Sequence, residues 1–398
     1  MNYLSDKSYL AIGKQSAQGT PVKPSVFVPL IDADLKTDPK PTRVKQIAGI
    51  NWVSNKVLQG VRSHSGSITV QCDPDTLGYL LDILALKGTT TGDGSVGYTH
   101  PFDILTEGNY FTFEVLKGNA VVRMSDVKIK KIEFSFADGY LEAKIDIVAG
   151  SAFTGATLAS ALSSSITAVP CDILYDITPL DNLVAGDVIQ IWHAGVATDI
   201  TITTISADKR SANCSSTACT ASKGDLVSLK AQTPSYANLL RPFKFGRVLV
   251  GFGVDMATAL SNAGAYASAT ALDDLKISLD KGIIENSMTG KENPVILAGV
   301  PDGTMTIKKL FSNASEAQAY QDIAKQCAVI IFTGDEITAG YPASLTMKFY
   351  DLKVAKNDNK IKKGEYIYDE TEFTIEYSNA DANSMDIVIV NKTAGASL

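Results

Sequence analysis

The stretch GSITVQCDPDTLGYLLDIL, residues 66–84, combines a strand with a helix and guides the interpretation of the whole chain. Its first five residues alternate polar and apolar side chains, which is typical of a strand with one buried face. Asp73 stands where a helix cap is needed, and apolar residues then recur at helical spacing through Leu77, Leu80 and Leu84. The stretch predicts a strand, a capped turn and a short amphipathic helix.

A second stretch repeats this order further along the chain. Residues 303–324, GTMTIKKLFSNASEAQAYQDIA, begin with an alternating strand and continue into a helical pattern. The dipeptides beginning at Asp82 and Asp322 lie 240 positions apart, and so do the Asp-Ile-Val tripeptides beginning at Asp146 and Asp386. A shared order at a constant offset predicts an internal repeat.

Alternating strands follow the helix in both halves. We match residues 111–115 with 344–349, and the closing strands at 132–136 and 145–148 with those at 372–377 and 385–388. The sequence therefore predicts a mainly β protein with minor α content. It contains two tube-type β units, at 27–150 and 243–398, each a β-sandwich or half-barrel flanked by a short helix.

The remaining segments complete the domain organisation. Residues 1–26 contain Gly and Pro in a pattern that predicts an extended N-terminal arm. Residues 151–242 begin with an Ala/Ser/Thr-rich stretch, interpreted as a linker up to residue 167, and continue into a compact module at 168–232. A tight turn at Ala194-Gly195 and alternating flanks predict a small β-barrel, which we place outside the repeated units.

The segment between Lys36 and Ser65 is long and shows little periodicity, although it carries apolar residues that a solvated loop would not need. Loops of this length in compact domains are usually functional or disordered. We interpret it as a projecting arm that buries itself against a neighbouring subunit; a hairpin packed on its own domain is the alternative. The candidate self-assembly residues are Lys40, Arg43, Lys45, Ile50, Trp52, Lys56 and Arg62.

Composition restricts the classes of function. A net charge of −7 argues against a protein that grips nucleic acid, because phosphate binding needs clustered Lys and Arg. Residues 1–7 lack the apolar stretch that a signal peptide would have. No run of apolar residues approaches the length of a membrane span. We therefore expect assembly in a cytoplasm. Five scattered cysteines fit free thiols better than a disulfide framework.

No catalytic, metal-binding or cofactor motif is present. The three histidines, His64, His100 and His193, have no local nucleophile or acid motif beside them. The pair Cys214 and Cys219 lacks a second pair at zinc-site spacing. The acidic cluster at 369–372 is interpreted as a strand edge facing solvent or a lumen, with cation binding as the alternative.

Three phrases give the chain a family resemblance. The first is Gly13-Lys14-Gln15-Ser16-Ala17-Gln18-Gly19-Thr20-Pro21, followed by Phe27-Val28-Pro29-Leu30. The second is Gly66-Ser67-Ile68-Thr69-Val70, followed by Asp75-Thr76-Leu77-Gly78-Tyr79-Leu80-Leu81. The third is Tyr98-Thr99-His100-Pro101-Phe102. Over residues 10–150 these phrases resemble the tail tube proteins of long-tailed bacteriophages.

The resemblance implies a structural virion protein. Its protomers would form rings whose inner strands join into one barrel, and the rings would stack through long loops into a tail tube that conducts phage DNA. With two units in each chain, three chains would supply a pseudo-sixfold ring. The implied partners are further copies of the chain, a tape-measure protein and tail-tip or terminator proteins, with DNA passing without specific binding. We also expect acidic side chains on the inner strands, because a negative wall repels DNA.

Two other classes of function compete with this interpretation. A tail-tip or adhesin-like protein would recognise a host receptor or glycan through the module at 168–232, in which Trp192 is the single tryptophan. A wall-degrading hydrolase would need a paired carboxylate site in a cleft, and no such pair stands out in the sequence.

Overall fold

The computed structural model describes residues 8–38, 40, 42–44, 56–58, 62–118, 120–137, 139–172, 180–236, 239–263, 272–286, 295–310, 324–360 and 368–394. Within these ranges the protein is mainly β, with two short helices and a closed barrel of six strands. The predicted fold class is therefore confirmed. The helix predicted after residue 311 lies outside the described residues.

The first unit contains one helix, α1 (Pro74–Leu84), and thirteen strands. The strands are β1 (Leu10–Lys14), β2 (Val26–Val28), β3 (Leu30–Asp38), β4 (Thr42–Val44), β5 (Lys56–Leu58), β6 (Ser63–Gln71), β7 (Leu86–Lys87), β8 (Thr91–Asp93), β9 (Gly97–Asp103), β10 (Phe111–Lys117), β11 (Ala120–Ala137), β12 (Tyr140–Ala149) and β13 (Ser151–Phe153).

The barrel follows, and then the second unit. The barrel strands are β14 (Ala156–Leu158), β15 (Ser165–Asp172), β16 (Val188–His193), β17 (Val196–Ile205), β18 (Ser211–Ala218) and β19 (Leu226–Leu229). The second unit contains β20 (Val248–Gly253), α2 (Met256–Ser261), β21 (Leu272–Asp280), β22 (Ile284–Asn286), β23 (Val295–Leu297), β24 (Asp302–Leu310), β25 (Gln326–Thr338), β26 (Tyr341–Lys360), β27 (Tyr368–Ile375) and β28 (Met385–Asn391).

The two units share one order of strand pairing. In the first unit, the N-terminal half of β11 pairs with β10 and β13, and its C-terminal half pairs with β12. In the second unit, β26 pairs in the same way with β25 and β28, and then with β27. Beyond the C-terminal half of the long strand, the order is β12–β6–β3 in the first unit and β27–β24–β21 in the second. Beyond its N-terminal half, the order is β10–β1 in the first unit and β25–β20 in the second.

This order corrects part of the predicted match between the halves. The strands at 66–70 and 303–307 do occupy equivalent places, because β6 and β24 have equivalent neighbours. The tripeptides at Asp146 and Asp386 do not, because Asp146 lies on β12 whereas Asp386 lies on β28, the counterpart of β13. The constant offset of 240 therefore fails after the first helix, since the connection between β6 and β10 is longer than that between β24 and β25.

Two further boundaries differ from the prediction. The stretch interpreted as a linker forms β13, β14 and the start of β15, so the barrel begins at Ala156 and not at residue 168. The predicted arm contains β1, a buried strand that pairs with β10 and β2. Strands rich in Thr and Ser resemble linkers in composition, but β-branched threonine is favoured in strands. The predicted turn at Ala194-Gly195 is present, with both residues at positive φ.

Helix α1 is buried along its whole length and packs between the units, against β11 of the first and β26 and β28 of the second. The Asp73 carboxylate caps it by accepting hydrogen bonds from the Asp75 and Thr76 backbone N–H groups at 3.0 and 2.8 Å. Burial raises the pKa of Asp73 to about 6. Neither helix in the described ranges has the length and hydrophobicity needed to cross a bilayer.

The raised pKa of Asp73 predicts a pH-dependent stability. Because the folded state holds this proton more tightly than the unfolded chain, the Asp73 contribution is most favourable below the unfolded pKa and is lost as pH rises through about 6. We expect the free energy of unfolding of the wild type to fall by roughly 2 kcal/mol between pH 4 and 6, relative to that of Asp73→Asn. Asparagine keeps the cap without titrating.

Asp255 provides the matched control, since it caps α2 by accepting from the Thr258 N–H at 2.7 Å. That hydrogen bond lowers the pKa of Asp255, so its contribution is present at higher pH and is lost on acidification. Urea unfolding at several pH values should therefore give differences of opposite sign for Asp73→Asn and Asp255→Asn. Parallel pH profiles for Asp73→Asn and the wild type would contradict the prediction.

Candidate self-assembly surface

The two units are joined by a strand pair that makes their sheets continuous. The C-terminal half of β11 pairs antiparallel with β21, with Ile132 opposite Leu279 and Phe134 opposite Ile277. All four side chains are buried in a core cluster that extends through both units. On the other face Glu133 contacts Lys276 at 3.0 Å. We call this strand pair the internal seam.

Buried lysines reinforce the internal seam. The Lys281 ammonium, at the end of β21, donates to the carbonyl oxygens of Ile104 and Thr106 at 2.5 and 3.0 Å. Lys128 of β11 donates to the carbonyl oxygen of Gly108 in the same loop. Burial lowers the pKa of both lysines, because it disfavours the charged form. These contacts fix a loop of the first unit on the last residues of β21.

A second strand pair also joins the units. Strand β28 of the second unit pairs with β9 of the first, with Ile387 opposite Phe102 and Ile389 opposite His100. His100 is buried, and its Nε2 atom lies 3.2 Å from Asn391 Oδ1. The two units are therefore joined by two strand pairs and a shared core.

Within the 18-stranded sheet, one continuous sheet of eight strands crosses the internal seam in the order β3–β6–β12–β11–β21–β24–β27–β26. It ends at β3 on one side and at the C-terminal part of β26 on the other. Within the described ranges, no strand pairs with the outer edge of β3 or of residues 354–357. An exposed strand edge is a template for pairing with another chain.

One face of this sheet packs on the core, and the other is polar. Some residues of opposite charge face each other across neighbouring strands: Lys131 lies opposite Asp146, and Lys356 lies opposite Glu372. Acidic residues outnumber lysines on this polar face, which carries Asp32, Asp34, Glu133, Glu142, Asp146, Asp274, Asp280, Asp302, Asp358, Glu370 and Glu372 against Lys36, Lys131, Lys144, Lys276, Lys308, Lys353 and Lys356.

The predicted acidic cluster lies within this sheet and not at its edge. Strand β27 runs between β24 and β26, so Asp369 and Thr371 point into the protein and are buried. Glu370 and Glu372 point to the polar face. The Asp369 carboxylate accepts a hydrogen bond from Asn357 Nδ2 at 2.8 Å and lies 4.0 Å from the Lys309 ammonium. The interpretation as a strand edge was therefore wrong, because alternation does not show which strands flank a segment.

The segment between Lys36 and Ser65 contains more strand structure than predicted. Strand β3 pairs with β6 as far as Asp38 opposite Ser63, and β4 pairs with β5, with Arg43 opposite Val57. The two ladders follow each other in nearly the same register, which is the pattern of one long hairpin. A shorter ladder, β22–β23, stands at the equivalent place between β21 and β24.

The candidate residues fall unevenly on this hairpin. Lys40 is exposed and has a positive φ, and its N–H donates to Asp38 Oδ1 at 3.0 Å. Arg43 and Lys56 lie on β4 and β5, and Arg62 immediately precedes β6. Lys45, Ile50 and Trp52 lie outside the described residues. Whether the hairpin contacts a neighbouring subunit remains a prediction.

A buried ion network attaches the barrel to the first unit. Arg123 of β11 donates to Glu114 of β10 at 2.6 Å and to the Asp187 carboxylate, in the barrel, at 3.0 Å. These three side chains are at most 1% exposed. Glu114 also accepts from the Tyr9 hydroxyl at 2.5 Å and from Gln232 Nε2 at 3.0 Å, and burial raises the pKa of Tyr9.

Apolar packing completes the attachment. Leu116 and Val121 of the first unit share a core cluster with the barrel interior. None of the three charged residues Glu114, Arg123 and Asp187 was predicted from the sequence. Glu114 and Arg123 do carry a signal, since each interrupts an apolar strand and a fully buried charge needs a partner. Asp187 stands in a Gly-Asp turn that looks ordinary in sequence.

The structure also places the histidines and cysteines that the sequence singles out. No group of three or more His, Cys, Asp or Glu is arranged to hold a metal ion there. Cys214 and Cys219 are buried free thiols. His64 contacts Thr37 Oγ1 at 3.1 Å, and His193 contacts Asp225 Oδ2 at 2.6 Å. These contacts are those of packed or surface histidines.

In comparisons with known proteins, no family model and no curated protein matches this chain.

Proposed function

We propose that the chain is a structural virion protein that assembles into rings by continuing its sheet from copy to copy. The internal seam carries the proposal. There β11, the long strand of the first unit, pairs along its outer edge with β21, which is the second unit's counterpart of β3. The second unit offers the same edge on β26, and the first unit offers β3 itself. Repeating the contact head to tail produces a heterologous interface, which forms a ring where the rotation closes.

The polar face supports a role as a conduit. If the sheets of successive copies close into a barrel, one face must line the interior, and the opposite face is occupied by the protein core. The polar face would then form the wall of a water-filled channel. Its excess of acidic residues repels nucleic acid, while the interspersed lysines limit the field. DNA would pass along such a wall without specific binding.

The family resemblance supplies the remaining parts of the proposal. Three chains would give a pseudo-sixfold ring, and rings would stack into a phage tail tube in which the hairpin containing β4 and β5 contacts the next ring. The barrel would decorate the outside, and the implied partners are a tape-measure protein and tail-tip or terminator proteins. The protein would act in assembly and not as an enzyme, in a virion tail built in the host cytoplasm.

Negative-stain electron microscopy of the purified full chain at high concentration tests this function. We expect hollow rings or stacked tubes, with threefold or pseudo-sixfold end views. Hydrogen exchange on the same samples should show that the amides of β3 and of residues 354–357 become protected as particles form. Single-chain particles with unchanged exchange at these edges, at every concentration, would contradict the proposal.

A receptor-binding role is the second candidate, favoured by apolar residues on the barrel surface. Trp192 lies opposite Leu226, and these side chains are 36% and 50% exposed. The Trp192 indole N–H donates to Ser228 Oγ at 3.0 Å, which fixes the ring on the surface. Glycan or cell binding by the full chain that is lost in Trp192→Ala, in a sample that forms no rings, would favour this role.

A further inference from the structure

The repeated pairing order allows positions in the two units to be matched residue by residue. Gly66 and Gly303 begin equivalent stretches of β6 and β24, so Ile68 matches Met305. Towards the outer strands, Ile68 lies opposite Ala33 and Met305 lies opposite Ile277. Ala33 of β3 therefore stands where Ile277 stands at the internal seam. By the same steps Asp34 matches Ser278, and Leu35 matches Leu279.

The long strands are matched in the same way. Ile68 lies opposite Ile145, which lies opposite Ile132 on β11. Met305 lies opposite Phe373, which lies opposite Val354 on β26. Val354 therefore matches Ile132. The next paired residue is Glu133 on β11 and Lys356 on β26, because a register shift in β26 leaves residue 355 unmatched. Lys356 therefore matches Glu133.

Applying the internal register to the two outer edges gives a specific pairing. At the internal seam Ile132 lies opposite Leu279, and Glu133 lies opposite Ser278. We propose that the outer edge of β26 pairs antiparallel with β3 of a second copy of this chain, with Val354 opposite Leu35 and Lys356 opposite Asp34. This register rests on the proposed function and specifies how its subunits join.

Charge supports this register. At the internal seam the acidic residue is on the long strand, where Glu133 contacts Lys276 of β21. Lys276 lies opposite Thr306 of β24, and Thr306 matches Thr69 of β6. Because Thr69 lies opposite Asp32, Asp32 of β3 holds the position that Lys276 holds on β21. At the outer seam Lys356 replaces Glu133 while Asp32 replaces Lys276, so both signs are reversed and the attraction is retained. Opposite charges on neighbouring strands stabilise a sheet.

The core side of the outer edges is also suitable. Val354 and Leu35 are each only 8% exposed, and they replace Ile132 and Leu279 in an apolar pair. Beside them, Ile31 of β3 is 47% exposed and lines a surface groove with Leu30, Val115 and Leu116. Pairing with a second copy would cover this groove.

Disulfide crosslinking tests the register. Directly opposite residues in an antiparallel pair have Cα atoms about 4.5–5.5 Å apart, within the range that a disulfide spans. Under oxidation, the double variant Asp34→Cys/Lys356→Cys should form covalent chains of several copies that reductant separates. The five native cysteines are buried, which keeps the background low. Each single variant should stay monomeric on a non-reducing gel.

The control moves one cysteine along the same strand. Asp38 lies four residues from Asp34 on β3 and is also exposed, so Asp38→Cys/Lys356→Cys places the thiols about 13 Å further apart along the strand. This pair should crosslink no more than the single variants. If wild-type rings form but only the Asp38 pair crosslinks, or neither does, the register is wrong while the tube function stands. If the wild type forms no rings, the proposed function itself fails.

Charge reversal gives an independent measurement. Lys356→Glu would face Asp34 and Asp32 of the next copy, so we expect the protein concentration needed for ring formation to rise roughly tenfold at low salt. Lys223→Glu, on an exposed barrel turn, changes the net charge equally and should leave that concentration within about twofold. An unchanged concentration for Lys356→Glu would overturn the assigned ion pair.

Discussion

Replacement of Arg123 by alanine is expected to lower the free energy of unfolding by about 3–5 kcal/mol. The guanidinium lies between Glu114 and Asp187, and all three groups are at most 1% exposed. Removing the single cation leaves two buried carboxylates facing each other without compensation, and this cost exceeds that of the lost hydrogen bonds. Because Asp187 belongs to the barrel and Glu114 to the first unit, the barrel should also loosen.

Urea unfolding followed by circular dichroism measures this loss. Arg247→Ala is the matched control, because Arg247 pairs with Asp335 at 3.2 Å while remaining 49% exposed, and such surface pairs contribute at most about 1 kcal/mol. Limited proteolysis should cut Arg123→Ala between the barrel and the first unit sooner than it cuts the wild type. Equal unfolding midpoints for Arg123→Ala and Arg247→Ala would contradict the assigned role.

Replacement of Phe134 by alanine is expected to cost about 3–5 kcal/mol, the usual range for removing a buried aromatic ring. Phe134 is 1% exposed on β11, opposite Ile277 of β21, so its ring packs where the cores of the two units meet. The cavity would therefore open inside the internal seam. Both units should be destabilised together, because they share this core.

The same unfolding measurement, made with Tyr341→Ala as the control, checks this value. Tyr341 begins β26 and is 50% exposed, so its removal should change stability by no more than about 0.5 kcal/mol. If Phe134→Ala unfolded in two separate transitions, with one unit retaining wild-type stability, the shared core would not couple the units. A loss below 1 kcal/mol would likewise contradict the packing described.

Alternation and turn chemistry were sufficient to predict the fold class. The period-2 pattern of Gly66 to Val70 gave β6 correctly, and Asp73 gave the start of α1. Ala194-Gly195 indicated the barrel hairpin, because glycine accepts the positive φ that a tight hairpin turn requires. These features depend on neighbours along the chain, and sequence records them directly.

Partners across the sheet were not predictable in the same way. A strand such as β12 and a strand such as β28 both alternate and both carry Asp-Ile-Val, yet they have different neighbours. Register and neighbour choice depend on contacts between distant residues, which a single alternating pattern does not specify. This is why the match between Asp146 and Asp386 was wrong, although the repeated order beginning at Gly66 and Gly303 agrees with the pairing.

The candidate surface was predicted only in part. The hairpin beyond Lys36 was singled out because of its apolar residues, while the sheet edges at β3 and β26 were not. An open edge is a property of the sheet and not of its sequence, since β3 and β6 alternate alike. The buried charges were missed for a related reason: one partner of Arg123 is Asp187, which lies in a barrel turn 64 residues further along the chain.

The internal seam also has a kinetic consequence. Covalent connection holds β11 and β21 at a high effective concentration, so this joint forms during folding without the loss of translational freedom that association requires. In the proposed ring, half of the joints would therefore be complete before any two chains meet. Ring closure would depend on subunit concentration only through the pairing of β26 with β3, and a substitution on either edge would slow ring formation while leaving the folding of each chain unchanged.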